Sequence, residues 1–166
     1  HSDEVSAVTN GGNGGWDPRP NIGGRGECPD NYCGYSPNQM GAMEPKERAA
    51  FMPMTDLKTY PNALKPAWNN NGLSQGMFCN DFLSGKQWKD WDGQMVVGYA
   101  GIGIHGTTVG NRLDVLKISK DGLTATGAQV SWPTATGRFR SAVQGPDGSL
   151  YVALEDQGVI YRVKPE

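Results

Sequence analysis

The chain has 166 residues, of which 24 are glycine and 11 proline, and only 37% are hydrophobic. Its formal charge of −2 and sequence pI near 5.7 leave no basic field for a phosphate backbone, which excludes nucleic acid as a natural partner. No apolar run approaches the ~20 residues that cross a bilayer, and turn formers crowded between short apolar runs predict an all-β fold.

In chain order, the opening His1-Ser2-Asp3-Glu4 carries no signal-peptide pattern, and the expectation is a processed product or a downstream piece of something longer. Glu4 to Thr9 is a strand candidate, followed by Gly11-Gly12-Asn13-Gly14-Gly15-Trp16. Only glycine and asparagine enter positive φ cheaply, so this run predicts a sharp re-entry. Residues 1–16 are therefore read as strand and turn, and 17–66 as an irregular insertion. Prolines 18, 20, 29, 37, 45, 53 and 61 interrupt that stretch, leaving room for one short helix from Glu44 to Met52. So long an excursion is usually functional or stapled. Cys28 and Cys33 flank Pro29-Asp30-Asn31-Tyr32, a spacing that suits a loop disulfide in an exported protein, periplasmic or secreted. A zinc site would need ligands beyond these two, and only His1 and His105 are available, which argues against zinc. Cys79 is left over, as a buried thiol or as the partner of a cysteine outside the chain.

The segment from Ala67 to Trp91 holds Trp68, Trp88 and Trp91 and an Asn69-Asn70-Asn71-Gly72 turn. A duplicated unit follows. Asp92-Gly93-Gln94-Met95-Val96-Val97-Gly98 matches Asp147-Gly148-Ser149-Leu150-Tyr151-Val152-Ala153 as an aspartyl-glycine turn running into an apolar strand. A second strand follows each, from Arg112 to Ile118 and from Val159 to Val163, across connections Gly101 to Asn111 and Glu155 to Gly158. Val130-Ser131-Trp132 and Arg138 to Val143 are further strand candidates. Such repeats mark the blades of a β-propeller, which closes with about four to eight of them. Two copies predict an arc, with one blade over 67–122 and a last blade over 123–166. The ring is then completed by another polypeptide or by an N-terminal half.

Arg138-Phe139-Arg140 followed by Gln144-Gly145-Pro146-Asp147-Gly148-Ser149-Leu150-Tyr151-Val152 resembles the last blade of the soluble quinoprotein sugar dehydrogenases, the glucose/sorbosone and aldose enzymes that use pyrroloquinoline quinone (PQQ). Asp3-Glu4-Val5 with Gly11-Gly12-Asn13-Gly14-Gly15-Trp16 is similar to that family's Asp-Glu-Ile/Val…Gly-Gly-Asn-Tyr-Gly-Trp segment, with Gly15 in place of tyrosine. Gly76-Met77, Ser84-Gly85 and Trp91-Asp92-Gly93 are similar to its Gly-Met…Ser-Gly…Trp-x-Gly stretch. The resemblance implies the C-terminal part of a partial six-bladed propeller. It implies oxidation of an aldose at its anomeric carbon by hydride transfer to PQQ, with calcium as Lewis acid and an external electron acceptor. The catalytic histidine, an arginine-asparagine pair and the calcium ligands would lie outside this chain, and a cofactor-contacting lysine expected near Gly101 is missing.

Among the residues present, Arg138 and Arg140 are the cofactor candidates. Guanidinium grips carboxylate by paired hydrogen bonds, and positions i and i+2 of a strand face the same way. Solvated or ion-paired arginines are the alternative. Asn69 and Asn71 align with positions that contact quinone or sugar, or simply form the turn. Trp68 stacks on substrate or packs in a core, and Asp3 matches an acidic position by the active centre or is solvated. His105 is read as a loop-tethering residue. Two other functions fit: a propeller binding or scaffold module that has lost the cofactor, and a copper site formed by His1 and His105.

Overall fold

The structure, a computed structural model, describes residues 3–15, 55, 57–58, 60–70, 75–101, 110–130 and 137–165. The chain divides into two units, His1–Ser74 and Gln75–Glu166. Regular structure among the described residues is β throughout except for one 3-10 segment, in accord with the all-β expectation.

In the first unit, β1 (Glu4–Val5) pairs antiparallel with β2 (Trp68–Asn69), Glu4 opposite Asn69 and Val5 opposite Trp68. Only two residues of the predicted Glu4–Thr9 strand form a ladder. The chain then turns, with the Gly12 amide donating to the Thr9 carbonyl at 2.9 Å. Gly11 and Gly15 take positive φ (71° and 70°), as the glycine run predicts. Gly12 has a second reason to be glycine: a Cβ there would stand 2.7 Å from Leu64 Cδ1. The predicted helix Glu44–Met52 and the Cys28/Cys33 bridge lie outside the described residues.

The second unit holds two antiparallel sheets. β3 (Met77–Phe82), β4 (Met95–Ala100), β5 (Asn111–Ile118) and β6 (Ala125–Gln129) form a four-stranded meander. β7 (Phe139–Gln144), β8 (Leu150–Leu154) and β9 (Val159–Val163) form a three-stranded one. The two aspartyl-glycine turns serve the same purpose in each, with Gly93 at φ 78° and Gly148 at φ 76° leading into β4 and β8.

The duplication reaches further than the sequence pattern. Each sheet has a preceding first strand, and each first strand bulges at the equivalent place. The register of β3 on β4 shifts between Met77 and Cys79, opposite Tyr99 and Gly98. That of β7 on β8 shifts between Phe139 and Ser141, opposite Leu154 and Ala153. The extra residues are Phe78 and Arg140.

One boundary differs from the sequence expectation. β6 pairs with β5 along Asp114–Ile118, so the first sheet runs from Met77 to Gln129 rather than over 67–122. The polar Ser119–Thr124 stretch is the hairpin turn that joins β5 to β6. Asp121 organises it, accepting from the Ser119 hydroxyl (2.6 Å) and the Leu123 amide (3.1 Å), and the Ser119 bond holds its carboxyl below the usual carboxylate range. Val130, expected to begin a strand, follows β6, and its amide donates to the Leu113 carbonyl.

β7 packs against β3 and β4, and the two sheets share one core. Leu83, Trp88, Val96 and Leu113 of the first meet Phe139, Ala142, Leu150, Val152 and Leu154 of the second. Burial of each large side chain contributes about 1.5–3 kcal/mol. Gln144 pins the far end of β7. Its amide donates to Asp81 Oδ2 at 2.7 Å, its Oε1 accepts from the Ser84 amide and hydroxyl, and its Nε2 donates to the Ser84 and Gly148 carbonyls. At the other end the approach is so close that a Cβ on Gly98 would lie 2.5 Å from Cys79 Sγ and 3.1 Å from Phe139 Cβ.

Gly98→Ala is therefore expected to lower stability by about 1–3 kcal/mol through overpacking. Cys79→Ala in the same chain should return part of the loss; equal urea midpoints for Gly98→Ala and the parent would sink this account. A second test concerns the turn before β8. The Ser149 backbone N–H, helped by the Ser149 and Tyr151 hydroxyls and Arg162, holds the Asp147 carboxyl at about 2, down from 3.8. A depressed carboxyl stabilises the fold above its unfolded pKa and loses that effect as pH falls from 3.8 towards 2. Asp147→Asn should lower the melting temperature at neutral pH and flatten its fall across that acid window.

Candidate functional site

Phe139 is fully buried and anchors the start of β7, which sets the two flanking arginines at the sheet's edge. Arg138 is fixed by its backbone, its amide donating to Asp156 Oδ1 at 2.9 Å and its carbonyl accepting from the Glu155 amide at 3.0 Å. Its Nη1 donates to the Ala100 carbonyl at the end of β4, at 3.0 Å. Arg140 is the extra residue of the β7 bulge. The two guanidinium groups meet at one carboxylate oxygen: Glu155 Oε2 lies 3.4 Å from Arg138 Nε and 3.8 Å from Arg140 Nε.

The two arginines thus meet at one carboxylate although β7 bulges at Arg140 and does not alternate regularly there, and the anion between them belongs to the chain itself. Glu155 begins the turn between β8 and β9. Arg138 is mostly covered, with 19% of its side chain exposed, whereas Arg140 and Glu155 expose 47% and 48%. The Arg140 guanidinium also lies over the Phe78 ring, 4.0 Å from its centroid. Phe78 is half exposed, and it is the bulge residue of β3, the counterpart of Arg140. Two guanidinium groups, the Glu155 and Asp156 carboxylates and a half-exposed aromatic ring therefore stand together.

Phe78 and Glu155 escaped the sequence reading. Phe78 sits in Met77-Phe78-Cys79-Asn80-Asp81-Phe82, whose polar centre hides a strand that buries only one face. Recognising that strand and aligning its bulge with β7 would have found it. Glu155 lies in a short polar turn with no pattern of its own.

The remaining candidates fall in the first unit. Asp3 and Asn70 clasp each other, the Asp3 amide donating to Asn70 Oδ1 (3.2 Å) and Asn70 Nδ2 donating to Asp3 Oδ2 (3.0 Å). Asn69 stands opposite Glu4, and Trp68 opposite Val5, both half-buried in the ladder. The structure brings Asp3, Trp68 and Asn69 to one short ladder and Arg138 and Arg140 to one carboxylate. Asn71, His1 and His105 lie outside the described residues, as do Cys28 and Cys33. Among the described residues no three His, Cys, Asp or Glu side chains cluster as a metal-holding group. Gly101, near which the lysine was expected, closes β4 with φ 90° and donates its amide to the Gln75 carbonyl.

A second charged cluster has a packing role. Arg112 Nε donates to both Asp114 oxygens at 2.9 and 3.1 Å, its Nη1 donates to Gln75 Oε1, and its guanidinium covers the Tyr99 ring. Asp114 is buried, so this pairing satisfies a charge that would otherwise be costly inside.

Comparison of the chain with protein-family models, with curated proteins and with solved structures finds no match.

Among the described residues Cys79 makes no disulfide, and its thiol is partly buried. Its Sγ points at the Phe139 carbonyl, 3.9 Å away, and burial pushes the thiol up to about 11. Alkylation in the folded protein at mildly basic pH should be slow and should accelerate on adding urea. Rapid labelling of the native state would show that the β3–β7 seam is open.

Proposed function

We propose that the two sheets of the second unit are adjacent blades of a β-propeller, part of a six-bladed ring completed by segments beyond those described or by another polypeptide. We further propose that the ring is a PQQ-dependent sugar dehydrogenase of the periplasm or the secreted space. Arg138 and Arg140 would hold the carboxylates of PQQ, which when bound would supply a hydride acceptor for the anomeric carbon of an aldose. The aldose would leave as its lactone, with an external acceptor taking up the electrons. Calcium would be held by residues outside this chain.

One observation carries the reading. The first strands of the two repeated sheets lie side by side, and their equivalent bulges present Phe78 and Arg140 together, with Arg138 beside them. First strands in this relation line the axis of a propeller, where cofactors sit. The chemistry suits a flat polycarboxylate: guanidinium for the carboxylates and an exposed ring for the aromatic plane. Asn69, Asn71, Trp68 and Asp3 are proposed as further contacts to quinone and sugar, from the resemblance alone.

The expected test is titration of PQQ with calcium into the full-length protein, followed by quinone absorbance and by dye reduction on adding aldose. Arg138→Ala should weaken PQQ binding by about ten- to a hundredfold, the range for losing a charge-assisted hydrogen bond. Unaltered affinity would remove the arginines from the cofactor site. A second reading, a propeller module without cofactor, is favoured by Glu155, which already partners both arginines, and by glycine at position 101. Absence of quinone absorbance after reconstitution would select it.

A further inference from the structure

We infer that Glu155 is a specificity residue: an internal carboxylate that occupies the Arg138/Arg140 pair until a ligand carboxylate replaces it. The inference rests on the proposal that this pair binds an anion, and it adds which chain group the anion must displace.

The geometry supports exchange. Glu155 touches both arginines through a single oxygen, at 3.4 and 3.8 Å, and the longer contact is an ion pair without a hydrogen bond. A half-exposed contact of that kind is worth little and is readily outbid by a carboxylate that engages guanidinium with both oxygens. Arg138 does not rest on Glu155 alone, because the Ala100 carbonyl accepts from its guanidinium and Asp156 accepts from its backbone amide. Arg140 rests on Phe78. The cations therefore stay in place when the glutamate leaves, which is the preorganisation an anion site needs. The paired guanidinium groups attract a carboxylate, and the Phe78 ring beside them favours an anion with a flat aromatic body. A monocarboxylate without that body gains no more than Glu155 already provides, so the internal anion filters out small acids.

The test uses benzene-1,3,5-tricarboxylate as probe, titrated calorimetrically into the full-length protein and its variants. Glu155→Gln, which removes the charge and keeps the shape, should tighten binding by about three- to tenfold. Glu155→Asp should bind the probe like the parent, and Arg140→Ala added to Glu155→Gln should abolish the gain. Acetate should bind detectably only to Glu155→Gln. Equal or weaker binding by Glu155→Gln, or no binding by either protein, overturns the inference; matching melting temperatures establish that the variants are folded. A parallel titration with PQQ separates the two claims. Tricarboxylate tightening without PQQ binding leaves Glu155 in its role and removes the quinone, whereas PQQ binding indifferent to Glu155→Gln does the reverse.

Discussion

The close approach of β7 to the first sheet governs the second unit. Gly98 leaves room for Cys79 Sγ and Phe139 Cβ, so β7 approaches the first sheet closely at that point. A few residues away, Gln144 is locked to Asp81 and Ser84, which fixes how far β7 can slide. Burial alone is non-directional and would tolerate several registers. The hydrogen-bonded clamp at one end and the glycine contact at the other select a single one.

That register decides which side chains appear at the edge. Because each first strand carries one extra residue at the same ladder position, Phe78 and Arg140 are extruded from their sheets at matching points. A bulge re-aims a side chain that the pleat would otherwise place elsewhere. The stacking of these two residues is therefore a product of the duplication, and an ordinary pair of regular strands would not bring them together.

The electrostatics of the cluster follow from unequal exposure. Arg138 is covered and held by a carbonyl, while Arg140 and Glu155 lie half in water. Water screens the outer contacts far more than the inner ones. The cluster thus has a covered cation, a half-exposed anion and a second cation stacked on an aromatic ring. The same carboxylate explains how two readings of function arise from one site, since it both completes the arginines and marks where another anion would bind.

Local pattern was enough to establish the all-β class, the paired aspartyl-glycine turns and the strands β4, β5, β8 and β9, because each combines a turn that needs glycine with an apolar run. The two-residue period also suggested both arginines on one side of a strand, but β7 bulges at Arg140, so their meeting at Glu155 is not a matter of period alone. The strands β3 and β6 were not legible. β3 buries only one face of a sequence that reads Met-Phe-Cys-Asn-Asp-Phe, and β6 follows a polar turn that imitates a boundary. Nor was Glu155 visible as the arginines' partner, or Phe78 as their platform. Those relations join residues far apart in the chain through bulges and sheet contacts. Only tertiary packing decides them, because periodicity records which way a side chain points and not what it meets.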